Sequence, residues 1–151
     1  MSRTPIILIG RSARIAIKVC DDLLPEYDVI HVILSSEQGV KDLPLLLSTP
    51  PRVPEHSRDN IGSQKYDGRA RAIVLGGGID DDMFHDMKNA CNHVDNSIFW
   101  VRADISVDNM PDLSDTEAFG AETVKRVKRK LNELEVSTEG AAVKSEGVHF
   151  F

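Results

Sequence analysis

The sequence predicts an α/β domain in which a short parallel sheet of about four strands is covered by helices on both faces, giving three layers. Two observations predict this fold class. Four short apolar runs are continuous rather than alternating, which is typical of parallel strands buried on both faces. Amphipathic helical patterns separate most of these runs, and a helix between two parallel strands of one sheet makes a right-handed crossover.

The strands and the first helix are placed by apolar spacing and one proline. The predicted strands are the apolar runs at residues 6–9, 29–34, 72–75 and 98–101. After the first run a helix is expected over residues 12–24, because Ile15, Val19 and Leu23 recur every four residues on one face. Pro25 ends this helix, since a proline disfavours the helical conformation of the residue before it.

Two later helices are predicted from capping residues and apolar spacing. The third strand leads into a helix over residues 80–91. Its expected buried residues are Met83, Phe84, Met87, Ala90 and Cys91. The last helix is predicted to begin with a capping box formed by Ser114 and Glu117. Its expected apolar face consists of Val124, Val127, Leu131 and Leu134.

Two stretches between the second and third strands are less regular. Residues 40–47 are expected to form a short helix that Pro44 interrupts. Residues 48–68 contain several Pro and Gly residues and few apolar ones. A connection of that length in a compact domain is usually functional or mobile, so a lid is one role for it.

The order of these elements predicts the topology. It is that of a Rossmann-like half with strand order 3-2-1-4, and a flavodoxin-like order is the alternative. The domain is expected to span residues 1–135, with residues 136–151 as a linker and an aromatic tail. Phe150 and Phe151 are too apolar for a free tail and are expected to dock on their own domain or on a second copy, and a homodimer is expected.

The composition excludes several classes of protein. The chain has 151 residues, and 18 Lys and Arg against 24 Asp and Glu give a net charge of −6, which argues against a general nucleic-acid binder. Two cysteines are too few for a disulfide scaffold. No apolar run approaches the roughly 18 residues of a membrane helix, and the N-terminal run lacks the features of a signal peptide. A reduced, soluble, cytoplasmic protein without nucleic-acid or membrane partners is therefore expected.

The turn after the first strand carries the main ligand signal. Gly10 allows a tight turn, and Ser12 can cap the first helix, whose backbone N–H groups attract phosphate. Arg11 and Arg14 add positive charge at the helix end where the dipole disfavours it, so an anionic ligand would explain them. The alternative is that both arginines point into water or pair with nearby carboxylates.

The glycine triplet after the third strand is predicted to be the poorer anion site. Gly76, Gly77 and Gly78 precede three aspartates at residues 80–82, which satisfy the N–H groups of the next helix and repel phosphate. The glycines then allow close backbone approach to a neutral part of a ligand or to the neighbouring helix. A phosphate site mediated by magnesium would make the glycine triplet the better anion site. Acidic helix starts are common, however, so no metal site is predicted.

Ligands of open parallel sheets bind beyond the carboxyl ends of the strands, near the point where the strand order reverses. The predicted site therefore combines four strand ends. Its residues are Gly10, Arg11, Ser12, Arg14, Ser35, Ser36, Gly76, Gly77, Gly78 and Arg102.

The first turn departs from the dinucleotide-binding fingerprint. In the pattern G-x-G-x-x-G, Ser12 and Ile15 stand where further glycines belong. At the end of the second strand Ser35 and Ser36 precede Glu37, so the acidic residue that would hold a ribose comes late. The two serines suit a 2′-phosphate or no nucleotide at all.

Three segments carry a resemblance to a known group of proteins. Residues 6–34, the string Val-Leu-Gly-Gly-Gly-Ile-Asp-Asp at 74–81 and the string Trp-Val-Arg-Ala-Asp at 100–104 resemble small Rossmann-like fungal proteins of unknown function that are labelled NAD(P)-binding by fold. The Gly-x-Ser turn and the first two strands are also similar to CoA-binding Rossmann domains. The resemblance implies NAD(P) or CoA as cofactor and supplies no catalytic residue.

The remaining candidate residues are expected to be structural. His31 lies inside the second strand and is expected to be a hydrogen-bonded core residue, and Trp100 is expected in the core. His85 and His93 are expected on the surface. The sequence contains no nucleophile elbow, Walker loop or paired Cys-x-x-Cys motif.

Two functional hypotheses follow. The first is a small-molecule-binding Rossmann-like protein with a nucleotide or another anionic ligand at residues 10–14, for which catalysis would need a dimer or the connection 48–68 as a lid. The second is a non-catalytic interaction or regulatory protein that has lost cofactor binding and assembles through its aromatic tail. The sequence identifies no catalytic residue and leaves open whether a reaction occurs.

Overall fold

The computed structural model describes residues 3–48, 52–54, 59–66, 70–76, 78–91, 98–103, 114–134 and 148–151. In these residues the chain forms a five-stranded parallel sheet and four helices. The strands are β1 (Thr4–Ile9), β2 (Tyr27–Ile33), β3 (Ala72–Leu75), β4 (Phe99–Arg102) and β5 (Val148–Phe150). The helices are α1 (Ala13–Leu23), α2 (Ser36–Leu46), α3 (Asp81–Ala90) and α4 (Thr116–Glu133).

The predicted α/β class is confirmed, and helices cover both faces of the sheet. Alternate side chains of the central strands point to opposite faces, as the two-residue period of a strand requires. On one face Ile6 and Leu8 pack with α1 and α4, whose buried residues include Val19 and Val127. On the other face Ile7 and its neighbours pack with α2 and α3.

The strand order is β2-β1-β3-β4-β5, so the favoured order 3-2-1-4 is wrong and the order is that of the flavodoxin-like alternative. In the favoured order β3 would pair with the outer edge of β2. That edge is occupied by residues 60–64, where Ser63 N–H donates to the Val29 carbonyl at 2.8 Å. β3 pairs with β1 instead, through residues 6–9.

The strand count of four is also wrong, because the end of the chain adds a fifth strand. Val148 pairs with Trp100, and Phe151 N–H donates to the Arg102 carbonyl at 2.9 Å. Phe151 packs against the α1–α4 side of the core. The aromatic tail therefore docks on its own sheet, while residues 135–147 lie outside the described part of the chain.

Two predicted helix features need correction. Pro44 does not interrupt α2: it lies in the last turn, where the helix runs on to Leu46. Ser114 does not cap α4, because Asp115 is the N-cap and its carboxylate accepts the Ala118 N–H at 3.1 Å. None of the described helices is both long and apolar enough to cross a membrane.

Candidate functional site

The carboxyl ends of the parallel strands meet at one edge of the sheet, and the strand order reverses there between β1 and β3. From β1 the chain passes to β2 on one side and then to β3 on the other side. In open α/β sheets, ligands bind in a crevice beside the loops that leave the two strands of such a reversal, which are β1 and β3 here. Of the predicted residues, Gly10, Arg11 and Ser12 lie in the β1 loop and Arg14 lies in the first turn of α1, while Gly76 and Gly78 lie in the β3 loop.

The start of α1 has the geometry predicted for it. Ser12 is the N-cap, and its hydroxyl accepts the Ile15 N–H at 3.3 Å. The first turn contains no acidic residue, whereas each of the other three described helices has at least one. The positive end of this helix dipole is therefore not compensated by a carboxylate of its own first turn.

Both predicted arginines of this turn are exposed. Arg11 and Arg14 form no ion pair with another residue in the part of the chain that the structure describes. Arg11 lies across the β3 loop, because a Cβ placed on Gly78 would be 3.3 Å from its Cγ. The two loops are therefore in contact through Arg11. Gly78 closely approaches the Arg11 side chain, whereas close approach to a ligand or to the neighbouring helix was predicted.

The start of α3 is acidic, as predicted. Asp80 is the N-cap and accepts the Met83 N–H at 2.8 Å, and Asp81 and Asp82 follow in the first turn. These carboxylates compensate the dipole of α3 and make its end unfavourable for a bare anion. Gly77 lies outside the described residues. The described residues contain no group of three or more His, Cys, Asp or Glu side chains that could hold a metal ion.

Arg102 reaches the same edge at the end of β4, but its guanidinium is already engaged. Its Nη1 lies 2.9 Å from Asp81 Oδ1, and its Nη2 donates to the Ile79 carbonyl at 3.4 Å. The guanidinium lies 4.6 Å from the ring centre of Phe84 and 5.9 Å from that of Phe150. Arg102 therefore pairs with one of the three aspartates at residues 80–82 and joins β4 to the start of α3.

The end of β2 contributes two serines beside β1. Ser35 is the N-cap of α2, and its hydroxyl accepts the Gln38 N–H at 3.1 Å. Ser36 is the first residue of the helix. The structure thus brings Gly10, Arg11, Ser12, Arg14, Gly76 and Gly78 to the adjacent carboxyl ends of β1 and β3, which we call the crevice. Ser35 and Ser36 lie one strand away from β1, and Arg102 lies one strand beyond β3.

A buried polar cluster lies away from this crevice, at the edge strand β2. His31 is 1% exposed, and its Nε2 lies 2.8 Å from Asp42 Oδ2 while its Nδ1 lies 2.7 Å from the Tyr66 hydroxyl. Because a carboxylate only accepts, Nε2 donates to Asp42, and in the neutral imidazole Nδ1 accepts from Tyr66. Gln38 Nε2 also donates to Asp42, at 3.2 Å. Asn60 Nδ2 lies 3.5 Å from His31 Nε2. We call His31, Asp42, Gln38, Asn60 and Tyr66 the His31 cluster.

The sequence predicted His31 as a hydrogen-bonded core residue, which is confirmed, but it did not identify the partners. One signal was present: Gln38 and Asp42 are four residues apart and thus share a face of α2, and Asp42 precedes the buried Leu43. Trp100 is also in the core, as predicted, with Phe84 edge-to-face at 5.7 Å. His85 is exposed, as predicted, and His93 lies outside the described residues.

Neither cysteine is activated. Burial raises the pKa of the Cys20 thiol to about 12, and burial raises the pKa of the Cys91 thiol to about 11. Both thiols are therefore protonated at neutral pH, and a protonated thiol is a poor nucleophile and metal ligand.

Comparison with known proteins finds a distant fungal relative. The chain is 26% identical over 147 residues to Kojic acid related protein 6 of Aspergillus oryzae. The aligned region covers 97% of this chain and 85% of the relative. No family model matches the sequence. No solved structure matches it either. This relative supports the predicted resemblance to fungal proteins. Its name states no ligand-binding activity.

Proposed function

We propose that this protein binds a small anionic molecule in the crevice between the β1 and β3 loops. The observation that carries the proposal is the pair of exposed arginines, Arg11 and Arg14, at the start of α1. They lie at the reversal of the strand order, and no carboxylate of the described residues pairs with them. Two cations at the positive end of a helix dipole cost stability, and an anionic ligand would offset that cost.

The polarity of the crevice supports an orientation for the ligand. Its β1 side is cationic, and its β3 side carries the exposed Asp80 and Asp82. A bare phosphoryl or carboxylate group is favoured against α1, and a neutral or hydroxyl-bearing part is favoured against α3. We propose a Rossmann-like, nucleotide-binding use of this sheet, with NAD(P) or CoA as the cofactors that the sequence resemblance implies.

The name of the fungal relative suggests one further probe. It associates that protein with kojic acid. Kojic acid is a small hydroxylated molecule without a phosphate, so it would use the α3 side of the crevice more than the arginines. It therefore belongs in a ligand screen beside the nucleotides.

A thermal-shift screen tests the proposal. The panel contains NAD, NADP, CoA, ATP, FAD, inorganic phosphate and kojic acid. A ligand at 100 times its Kd stabilises the folded chain by about 2.7 kcal/mol, which corresponds to a rise in Tm of about 5 to 10 °C for a domain of this size. We expect at least one anionic compound to give such a rise, with the shift decreasing as salt is added.

The second functional hypothesis gives a different result in the same screen. A non-catalytic interaction protein that has lost cofactor binding shows no shift with any compound. Docking of the tail as β5 leaves Phe150 half exposed, and the interaction hypothesis would use this ring. Absence of any shift across the panel would overturn the ligand-binding proposal in favour of the interaction hypothesis.

A further inference from the structure

The His31 cluster joins three side chains in series at the edge strand β2. The Tyr66 hydroxyl lies 2.7 Å from His31 Nδ1, and His31 Nε2 lies 2.8 Å from Asp42 Oδ2. A hydroxyl that is hydrogen-bonded to an imidazole, which a carboxylate orients in turn, is the arrangement by which proteins activate a nucleophile. In this chain a phenol occupies the place of the nucleophile. The anion site proposed at the crevice uses none of the three side chains.

The three side chains differ in their exposure. His31 is 1% exposed and Asp42 is 8% exposed, so water has little access to the imidazole or to the carboxylate. Tyr66 is half-buried, because it packs partly against the α2–α3 side of the core and retains exposed surface. A substrate would therefore meet the series at the phenol. The imidazole and the carboxylate stay in a site of low dielectric, where the interaction between them is strong.

The imidazole and the phenol are held by different elements that pack on β2. The register between β1 and β2 shifts by one residue before His31, and His31 faces α2. Gln38 Nε2 donates to Asp42 Oδ2 at 3.2 Å and so fixes the carboxylate to which His31 donates. On the outer side of β2, Gln64 N–H donates to a β2 carbonyl at 3.0 Å, two residues before Tyr66. The contact between phenol and imidazole is therefore formed before any substrate arrives.

The chain contains two tyrosines, and one of them has a base beside it. Asp42 fixes the proton of the neutral His31 ring on Nε2, so Nδ1 is the acceptor that faces the Tyr66 hydroxyl. The Tyr27 hydroxyl instead donates to Asn132 Oδ1, at 2.6 Å, and a side-chain amide is not a base. Burial raises the pKa of the Tyr27 phenol. Tyr27 is thus an internal control for Tyr66.

We propose that Tyr66 is a nucleophile that accepts an acyl group from an activated carboxylic ester, with His31 as the base that takes its proton. The phenol oxygen forms a bond to the acyl carbon, and the bond from that carbon to the leaving oxygen breaks with its electron pair. The Tyr66 proton passes to His31 Nδ1, the Asp42 carboxylate stabilises the imidazolium, and the proton is then released to water. Because a phenol is a weaker acid than an imidazolium, the proton moves as the new bond forms and not before.

The charge of the His31 cluster favours an uncharged ester over a phosphoryl donor. Asp42 and Tyr66 are the titratable groups that face His31 in the cluster, and the other two members, Gln38 and Asn60, are neutral amides. Within the described ranges of the chain, no Lys or Arg forms an ion pair with Asp42. A phosphoryl donor needs cations that offset its negative charge, whereas the carbonyl group of an ester does not.

Acetylation by p-nitrophenyl acetate tests the proposal on the full chain. Release of p-nitrophenolate gives the rate between about pH 5 and pH 9, and peptide mass spectrometry identifies the acetylated residue. Tyr66→Phe removes the nucleophile and keeps the ring. Asp42→Asn keeps an oxygen that accepts from His31 Nε2 and removes the negative charge. Circular dichroism establishes that each variant has the helix content of the unsubstituted chain.

We expect Tyr66 at neutral pH to be acetylated at least about tenfold faster than Tyr27 and than N-acetyltyrosine amide in solution. The rate at Tyr66 should level off once His31 has lost its proton, whereas the rate of the amide in solution rises with its phenolate fraction. Tyr66→Phe should lose this acetylation. Asp42→Asn should lower the plateau at least about tenfold, because the imidazolium is no longer stabilised.

Three results would overturn the proposal. The first is acetylation of Tyr66 in the unsubstituted chain that is no faster than that of the amide in solution, a result that does not depend on the folding of any variant. The second is a rate at Tyr66 that rises with pH in proportion to the phenolate fraction and reaches no plateau. The third is an unchanged plateau in folded Asp42→Asn, which would show that Asp42 has a structural role alone.

Discussion

Replacing His31 with alanine is expected to lower the free energy of unfolding by about 3 kcal/mol. The imidazole is 1% exposed, and both of its nitrogens have a partner within 2.8 Å. Its removal takes the closest hydrogen-bond donor from the buried carboxylate of Asp42 and opens a cavity beside α2. An unsatisfied buried polar group costs about 1–3 kcal/mol, and hydrogen bonds to charged groups are at the upper end of that range. Urea denaturation followed by circular dichroism measures the change.

The matched control for this variant is His85→Ala. His85 is exposed on α3, where its Nδ1 contacts the carbonyl of Asp81 at 3.1 Å. Substitution of such a surface residue should change the free energy of unfolding by no more than about 0.5 kcal/mol. Equal losses for the two histidine variants would show that the His31 cluster does not contribute the stability assigned to it.

The double variant Arg11→Ala/Arg14→Ala is expected to weaken binding of the best anionic ligand of the screen by about 100-fold or more. Each guanidinium would form a charge-assisted hydrogen bond with the anion, and such a bond contributes about 1.5–3 kcal/mol. A factor of 100 corresponds to about 2.7 kcal/mol. Isothermal titration calorimetry of the double variant and the unsubstituted chain gives the ratio of the two Kd values.

Two further variants separate a local effect from a change of net charge. Lys125 and Arg129 are exposed on α4, so Lys125→Ala/Arg129→Ala removes the same two charges away from the crevice and should leave the Kd within about twofold. Asp82→Asn removes a carboxylate that repels the anion and should strengthen binding. Equal weakening by the two double variants, or weaker binding of the Asp82 variant, would contradict an anion site at α1.

The secondary structure could be predicted where local chemistry determines it. Residues 72–75 form β3 as predicted, because a fully apolar run of that length fits a strand buried on both faces. Ser12 and Asp80 lie at the helix starts predicted from them, since each accepts an N–H of its own first turn. Asp115 caps α4 in place of Ser114. The two residues are neighbours, and either side chain can accept an N–H of the first helical turn, so the sequence does not distinguish them.

The strand order and the last strand could not be predicted in this way. Both candidate orders obey the right-handed crossover rule, and the choice depends on whether β3 or residues 60–64 cover the outer edge of β2. That choice rests on contacts such as Asn60 with Val32, 28 residues apart, which no local pattern encodes. The three residues of β5 are too few to show a strand period.

In the candidate site too, the features determined by local sequence could be predicted, and those that depend on contacts between distant residues could not. Residue types and helix dipoles predicted that the α1 start would be cationic and the α3 start acidic, and the structure has this arrangement. The pairing of Arg102 with Asp81 joins two elements across the sheet edge and could not be read from spacing. The contact of Arg11 with Gly78 likewise depends on β1 and β3 being neighbours.

A crystal structure of the protein with the best ligand of the screen tests the central claim most directly. The anionic group is expected within hydrogen-bond distance of the Ser12 cap and the first-turn N–H groups of α1, with the guanidinium groups of Arg11 and Arg14 directed toward it. An anionic group held against Gly78 and Asp80 without a cation, with both guanidinium groups directed away from it, would contradict the claim.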